Sequence, residues 1–384
     1  MSFRTTISYV LWPLTMWYAV GVAVRNFFYA MGLRKQEAPH ITTIGVGNLC
    51  TGGSGKTPHV EYLLRLLSGK YPTAMLSRGY RRKSKGFVAD DGSHDATLLG
   101  DEPAMIAAKF PQVRVAVCEK RVEGVRRLME VPKPPEGLDN PENPGNPESP
   151  EDPEVPEMQP PQLIVLDDVY QHRHIKPNIN ILLTEFRHPY FRDRILPYGD
   201  LREFRSARNR ASIVIVTKCP ATLNPVDKHN FIADLKLQNY QKVFFSYLKY
   251  GPLRALDGSP ADIDLRKLDG VLVLTGIAHP EPMVEELHRS CKVQHMTFAD
   301  HHNYTKRDMA RVREAFEAIR GERKIIITTE KDAMRLHGLT GDMPVYVLPV
   351  EVAFHKEKDL DFDQVIESSV KENISFLSKL SIWS

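Results

Sequence analysis

Cysteine is scarce and scattered. The 384-residue chain has four (Cys50, Cys118, Cys219, Cys291), none in C-x-x-C spacing. That excludes a disulfide-dense secreted scaffold or a thiolate zinc site, and it suits a reducing compartment. No internal repeat occurs, which excludes a solenoid. No nucleic-acid reader motif occurs either, and no nucleic-acid partner is expected. The longest charge-free apolar run is Thr5–Val24. Acidic charge is unevenly distributed and concentrates in one tract. Pro132–Pro161 holds eight acids against the single Lys133, a local net of −7, so the overall +3 leaves a body of +10. A basic body suits an anionic substrate or membrane surface.

That tract also carries eleven of the 28 prolines and almost no apolar residues. It has nothing with which to build a core and reads as a disordered surface insertion. The charge-free run Thr5–Val24 contains Trp12 and Trp17 and is flanked by Arg4, Arg25, Arg34 and Lys35. Twenty residues are about enough to cross a bilayer. Pro13 and the small residues weaken that reading, while the aromatic residues and basic flanks favour an in-plane helix on an anionic lipid surface. The expectation is a retained helix that lies on the membrane. No small-x-small cleavage pattern follows it to suggest a signal peptide.

The strongest positive signal is Ile41–Thr57, ITTIGVGNLCTGGSGKT. A β-branched run breaks into a glycine-rich turn closed by Gly-Lys-Thr. This is how a chain makes a phosphate cradle. Thr51, Gly52, Gly53, Ser54 and Gly55 offer backbone N–H groups, the following helix N-terminus adds partial positive charge, and Lys56 reaches phosphate. The Thr57 hydroxyl can hold Mg²⁺. Cys50 stands where the usual pattern has glycine.

Short β-type runs then recur at Thr73–Leu76, Val113–Cys118, Leu163–Leu166, Asn180–Leu183 and Ser212–Val216, with helical patterns between several of them. This predicts an α/β fold with a P-loop NTPase-like, doubly wound parallel sheet. After a β-rich connector, Lys242–Lys249, further runs at Val271–Leu274, Val293–Met296 and Lys324–Thr328 predict a smaller second α/β domain. Pro344–Phe354 returns to pair with the connector as a hinge. The expected organisation is a membrane-associated helix over 1–36, a phosphate-loop domain over 37–241 interrupted at 132–161, and the second domain over 242–384.

Four constellations carry candidate chemistry. Leu163–Leu166 runs into Asp167-Asp168, a strand end that can place a carboxylate near Mg²⁺. Gly100-Asp101-Glu102-Pro103 sets Asp101 at a helix start, where it is either a cap or a general base. Asp300-His301-His302 pairs acid with imidazole. Arg187–Arg210 holds seven arginines interleaved with aromatic residues, a pattern suited to anions and sugars. A phosphate-loop GTPase is disfavoured, because Thr217-Lys218-Cys219-Pro220 puts proline where guanine recognition needs Asp.

Together the ordered motifs closely resemble the tetraacyldisaccharide 4′-kinase (lipid A 4′-kinase) family. They are VGN before GGSGKTP, Ser77-Arg78-Gly79-Tyr80, GDEP, LDD with QHR, GDLRE, TGIAHP, ADHH and TTEKD. The likeness spans nearly all of residues 40–335. It implies ATP- and Mg²⁺-dependent transfer to the 4′-hydroxyl of a lipid A disaccharide 1-phosphate, at the cytoplasmic face of the bacterial inner membrane. No obligate protein partner is implied. It further implies Asp101 and His301 as catalytic pair, Thr51–Thr57 around the nucleotide, and Thr57, Asp167 and Asp168 near the metal. Arg78, Gln171, His172, Arg202 and Glu203 would lie near substrate. Val169-Tyr170 departs from the family's usual Gly-Phe.

Overall fold

All seven residues of the β-branched run Thr42–Asn48 are buried. A strand with no exposed face has to be covered on both sides, and the computed structural model of this chain shows how. It describes residues 3–80, 82–130, 160–277, 279–300, 302–336, 338–356 and 360–381.

The elements run α1 (Phe3–Ala30), β1 (Thr42–Asn48), α2 (Lys56–Leu67), β2 (Thr73–Ser77), β3 (Val88–Ala89), α3 (Ala96–Leu99), α4 (Asp101–Lys109), β4 (Arg114–Val117) and α5 (Arg121–Met129). They continue with β5 (Leu163–Leu166), β6 (Ile179–Glu185), β7 (Ile213–Thr217), α6 (Pro225–Leu235) and β8 (Lys242–Tyr250). The later part holds β9 (Arg254–Ala255), β10 (Gly270–Thr275), α7 (Glu281–His288), β11 (Val293–Thr297), α8 (Lys306–Glu317) and β12 (Lys324–Thr328). It ends with α9 (Glu330–Leu336), β13 (Val345–Val347), β14 (Val350–Phe354) and α10 (Phe362–Ser381).

Two sheets result. The larger has the order β14-β8-β7-β6-β1-β5-β2-β4-β3, and the smaller β11-β10-β12-β13-β9. Pairing is parallel throughout except at β3, β9 and β14. α2 presents Val60, Leu63, Leu64 and Leu67, an i, i+3, i+4, i+7 spacing that makes one apolar stripe, to Ile44 and Val46 of β1. Ile106 of α4 joins that core. Val125 and Leu128 of α5, and Phe231 and Leu235 of α6, cover the opposite face. The mixed α/β architecture with parallel sheets expected from the alternation of runs is therefore present.

Strand order positions the site. β1 leads out to β2 on one side, whereas β5 leads across β1 to β6 on the other. The carboxyl ends of β1 and β5 thus border the crevice where a doubly wound sheet reverses direction, and open α/β sheets bind ligands there.

A boundary at 242 does not match the sheets. β8 pairs in parallel with β7, and β14 pairs antiparallel with β8, so both connector strands complete the larger sheet. Phe362, Val365, Ile366 and Val370 of α10 pack into the same core as α2. The reason is that β8 and α10 carry apolar residues that only the larger sheet can bury. The acidic insertion expected over 132–161 falls almost wholly outside the described residues.

α1 lies along the larger unit. Val22 and Tyr29 are buried, while Trp12, Trp17 and Phe27 are exposed, Trp17 at 77%. No helix among the described residues is long and apolar enough to cross a membrane.

Candidate active site

The turn after β1 bends where only glycine bends cheaply, with Gly52 at φ +102° and Gly55 at φ +82°. Its walls are tied down. The Thr51 N–H donates to the Asp200 carbonyl at 2.7 Å, and the Thr217 hydroxyl donates to the Ser54 carbonyl at 3.0 Å. His59, one turn into α2, donates from Nδ1 to the Gly55 carbonyl at 2.7 Å, which leaves Nε2 to accept from the Ser246 hydroxyl of β8 at 2.9 Å. Burial keeps this imidazole neutral, its pKa lowered to about 4.

The sign of the consequence follows. An unfolded histidine takes a proton near pH 6.5, whereas folded His59 resists until about pH 4, so its contribution is complete above 6.5 and is lost as pH falls. By pH 5 the loss is about 2 kcal/mol. Thermal unfolding in EDTA at pH 7.5 and 5.0 measures it. The expected outcome is a smaller drop in Tm for His59→Asn than for the parent; an identical drop would show that another group dominates.

Lys56 stands at the start of α2, its Nζ 3.7 Å from Asp168 Oδ1 and 3.5 Å from Asn48 Oδ1. Asp168, at φ +44° just past β5, also takes both arms of Arg202, at 3.1 and 3.3 Å. Burial opposes its charge, but Lys56 and Arg202 outweigh it and hold the carboxyl down at about 2. Asp167 is different. Its Oδ2 accepts from the Ser77 hydroxyl at 3.1 Å, and its Oδ1 is buried without a hydrogen-bond partner among the described residues. Burial, then Glu102 and Asp168, push this carboxyl up to about 6.

The Thr57 hydroxyl donates to Glu102 Oε2 at 2.8 Å. Burial works against the Glu102 charge, but Lys331, which pairs with its other oxygen, together with Thr57 and Lys56, keeps the carboxyl below the usual range. Asp101, one residue earlier on α4, pairs with Arg335 at 2.6 Å. Both cations come from α9, so the smaller sheet's unit closes onto α4 beside the glycine-rich turn. Lys109 adds a third link, bridging Glu61 of α2 at 2.5 Å and Glu330 of α9 at 2.8 Å. A cleft of about 890 Å³ opens between the units, lined among others by Thr57, Pro58, Lys218, Tyr250, Met283 and Lys331.

The residues expected near substrate are unequally placed. Arg78 is exposed at the end of β2. Gln171 donates to the Asn48 carbonyl at 2.8 Å and so braces the β1 end. Burial, with Arg121 and Arg78 nearby, lowers the pKa of His172 to about 4. Glu203 corrects its assignment. It is 0% exposed, paired with Arg25 of α1 at 3.0 Å and with Arg210 at 2.8 Å, and so it anchors α1 where no substrate reaches it. Its removal leaves the partly exposed Arg25 and Arg210 without their shared counter-charge. Glu203→Ala is therefore expected to cost about 1–3 kcal/mol, read as a lowered midpoint in denaturant unfolding. His301 lies outside the described residues. Its neighbour His302 pairs with Asp308 at 3.0 Å at the start of α8.

Four participants were not singled out from the sequence: Asn48, Glu102, Lys331 and Arg335. Glu102 had a visible signal as the second acid of Gly-Asp-Glu-Pro, and Lys331 and Arg335 fall in and just after the Thr-Thr-Glu-Lys-Asp motif.

A parallel α/β sheet whose carboxyl edge gathers a glycine-rich turn, a lysine, a threonine and several carboxylates is the layout of an enzyme that handles phosphate esters. The comparisons narrow that class. The family model described as tetraacyldisaccharide-1-P 4′-kinase matches residues 7–371. The tetraacyldisaccharide 4′-kinase of Bacteroides fragilis strain YCH46 is 38% identical over 377 residues, covering 94% of this chain and 93% of the relative. That of Flavobacterium johnsoniae is 38% identical over 366 residues, covering 95% and 98%. The crystal structure of the "apo" form of LpxK from Aquifex aeolicus in complex with ATP superposes with a TM-score of 0.69 at 26% identity, covering 95% of this chain and 99% of that one. The chain belongs to the tetraacyldisaccharide 4′-kinase family.

Proposed function

We propose that this chain transfers the γ-phosphoryl group of ATP to the 4′-hydroxyl of a tetraacyldisaccharide 1-phosphate in lipid A biosynthesis. The observation that carries the reading is the convergence of Lys56, Thr57, Asp101, Glu102, Asp167 and Asp168 on one sheet edge beside the interdomain cleft. The turn Thr51–Gly55 and the start of α2 supply N–H donors and partial positive charge for the nucleotide phosphates. Lys56 adds a mobile cation, already neutralised by Asp168 until phosphate arrives.

Asp101 takes the acceptor's proton. As the 4′-oxygen bonds to the γ-phosphorus, the bond from phosphorus to the bridging oxygen breaks, ADP leaves with those electrons, and the hydroxyl proton passes to the Asp101 carboxylate. His301 is the proposed partner of Asp101. A Mg²⁺ ion is supported by the unpartnered buried oxygen of Asp167, the Thr57 hydroxyl and Glu102. Bound there, it would offset phosphate charge. Among the described residues no three acidic, histidine or cysteine side chains close on a single point, so such an ion would complete its oxygen shell with water and nucleotide. Asp168 is engaged by Lys56 and Arg202 and is the weaker candidate of the pair.

Arg202 and the exposed Arg78 suit the sugar and its 1-phosphate, and α1 suits the cytoplasmic face of the membrane. The exposed surface of α1 bears Trp12, Leu14, Trp17 and Phe27, and Met31 follows just past its end. Such a face is buried at the headgroup boundary in interfacial helices. Trp12→Asp with Trp17→Asp is expected to release the protein from anionic vesicles in a sedimentation assay, with the fold retained. The decisive experiment is transfer of labelled γ-phosphate to purified tetraacyldisaccharide 1-phosphate in detergent micelles. Labelled lipid is expected; tight ATP binding without labelled lipid would overturn the acceptor.

A further inference from the structure

Arg335 has a place in the molecule that its role as a surface cation does not explain. Its side chain is only 8% exposed although it sits on the short helix α9. One arm of its guanidinium meets Asp101 Oδ2 at 2.6 Å, and the other lies 3.5 Å from Asp332 Oδ1. Asp332 is itself fully buried and is the hub of the smaller unit's loops. It accepts from the Gly276 N–H at 3.0 Å, the Thr329 hydroxyl at 2.7 Å and the Tyr304 hydroxyl at 3.2 Å. Those partners lie after β10, after β12 and at Tyr304 just before α8. A rigid fork thus joins a carboxylate of the larger unit to the centre that organises the loops of the smaller one.

We infer that Arg335, held by Asp332, is a positioning residue that sets the Asp101 carboxylate relative to the loops of the second unit. The inference rests on Asp101 acting as the base. An aspartate at a helix start has several rotamers, and only some point an oxygen at an acceptor hydroxyl in the cleft. The guanidinium is planar, permanently charged and matched to two acceptors at once, so it selects one rotamer and makes that choice depend on closure of the two units. Lysine, a point donor on a flexible stem, can neutralise Asp101 but cannot hold both carboxylates in a fixed plane. Misplacement of a reacting group by about 1 Å costs on the order of 10²-fold in rate.

The test is a double-mutant cycle on the full chain with ATP and the tetraacyldisaccharide 1-phosphate. Arg335→Met is expected to lower kcat by on the order of 10²-fold with KM for ATP within about threefold of the parent, since the nucleotide turn is untouched. Arg335→Lys is expected to recover part of that loss. Combined with Asp101→Ala, Arg335→Met is expected to add nothing, because the group it positions is gone. Should the methionine variant fail to fold, the cycle is run with Arg335→Lys, whose smaller loss must also vanish in the Asp101→Ala background. Losses that multiply in the double variant, or a loss confined to KM for ATP, would overturn the inference. Full activity of Asp101→Ala alone would instead remove Asp101 as base, an outcome distinguishable from the others by that single variant.

Discussion

Lys56→Ala is expected to lower phosphoryl transfer by roughly 10²–10³-fold, the scale for losing one preorganised charge donor at a transferring group. The geometry makes this a clean experiment. Lys56 is paired with Asp168, but Arg202 grips the same carboxylate with two arms, so deleting the lysine does not strand a buried charge. Stability should change by no more than about 1 kcal/mol, and the loss should appear in transfer and in nucleotide affinity together. Initial rates with labelled ATP, alongside nucleotide titration, measure both. Transfer within threefold of the parent would show that phosphate does not rest on this turn.

Asp101→Ala is expected to cost 10² to about 10⁴-fold in kcat, the usual range for a lost general base, while ATP still binds. Asp101→Asn sharpens the result. The amide keeps the size of the carboxylate and can still accept from Arg335, yet it cannot take a proton, so it should be nearly as slow as alanine. Glu102→Gln provides the contrast. Glu102 faces the Thr57 hydroxyl, so its loss should fall on the Mg²⁺ dependence of the reaction. Metal titrations of the three variants separate the roles. An active Asp101→Asn would move the proton elsewhere.

The parts of this site that are local in sequence were legible. The run from Thr42 to Thr57 announces strand, turn and helix because β-branching, glycine and Gly-Lys-Thr follow one another without interruption. Asp167 and Asp168 were legible for the same reason, as the polar end of an apolar run. The acidic pair of α4 was legible only in part. Which carboxylate faces Thr57 and which faces the second unit depends on helical phase and on where α9 docks, more than 200 residues later. The same distance hid Lys331 and Arg335, whose spacing reads as an ordinary charged helix until their partners are known. Glu203 was placed near substrate by the resemblance alone, which says nothing of the side chains that enclose it. Only the fold shows Arg25 arriving from α1 to meet it.

That last contact bears on how the enzyme can be handled. Trimming the first thirty residues is a natural way to seek a water-soluble form, and the exposed tryptophans invite it. Yet the cut would withdraw Arg25 from a fully enclosed glutamate and Asn26 from Arg173, and it would uncover the cradle of Tyr29 against Arg173. It would also remove the Tyr18 hydroxyl from the carbonyl of Arg202, the residue that holds Asp168 in place. The helix is a structural wedge, and a protein shortened by it would be loosened at its centre.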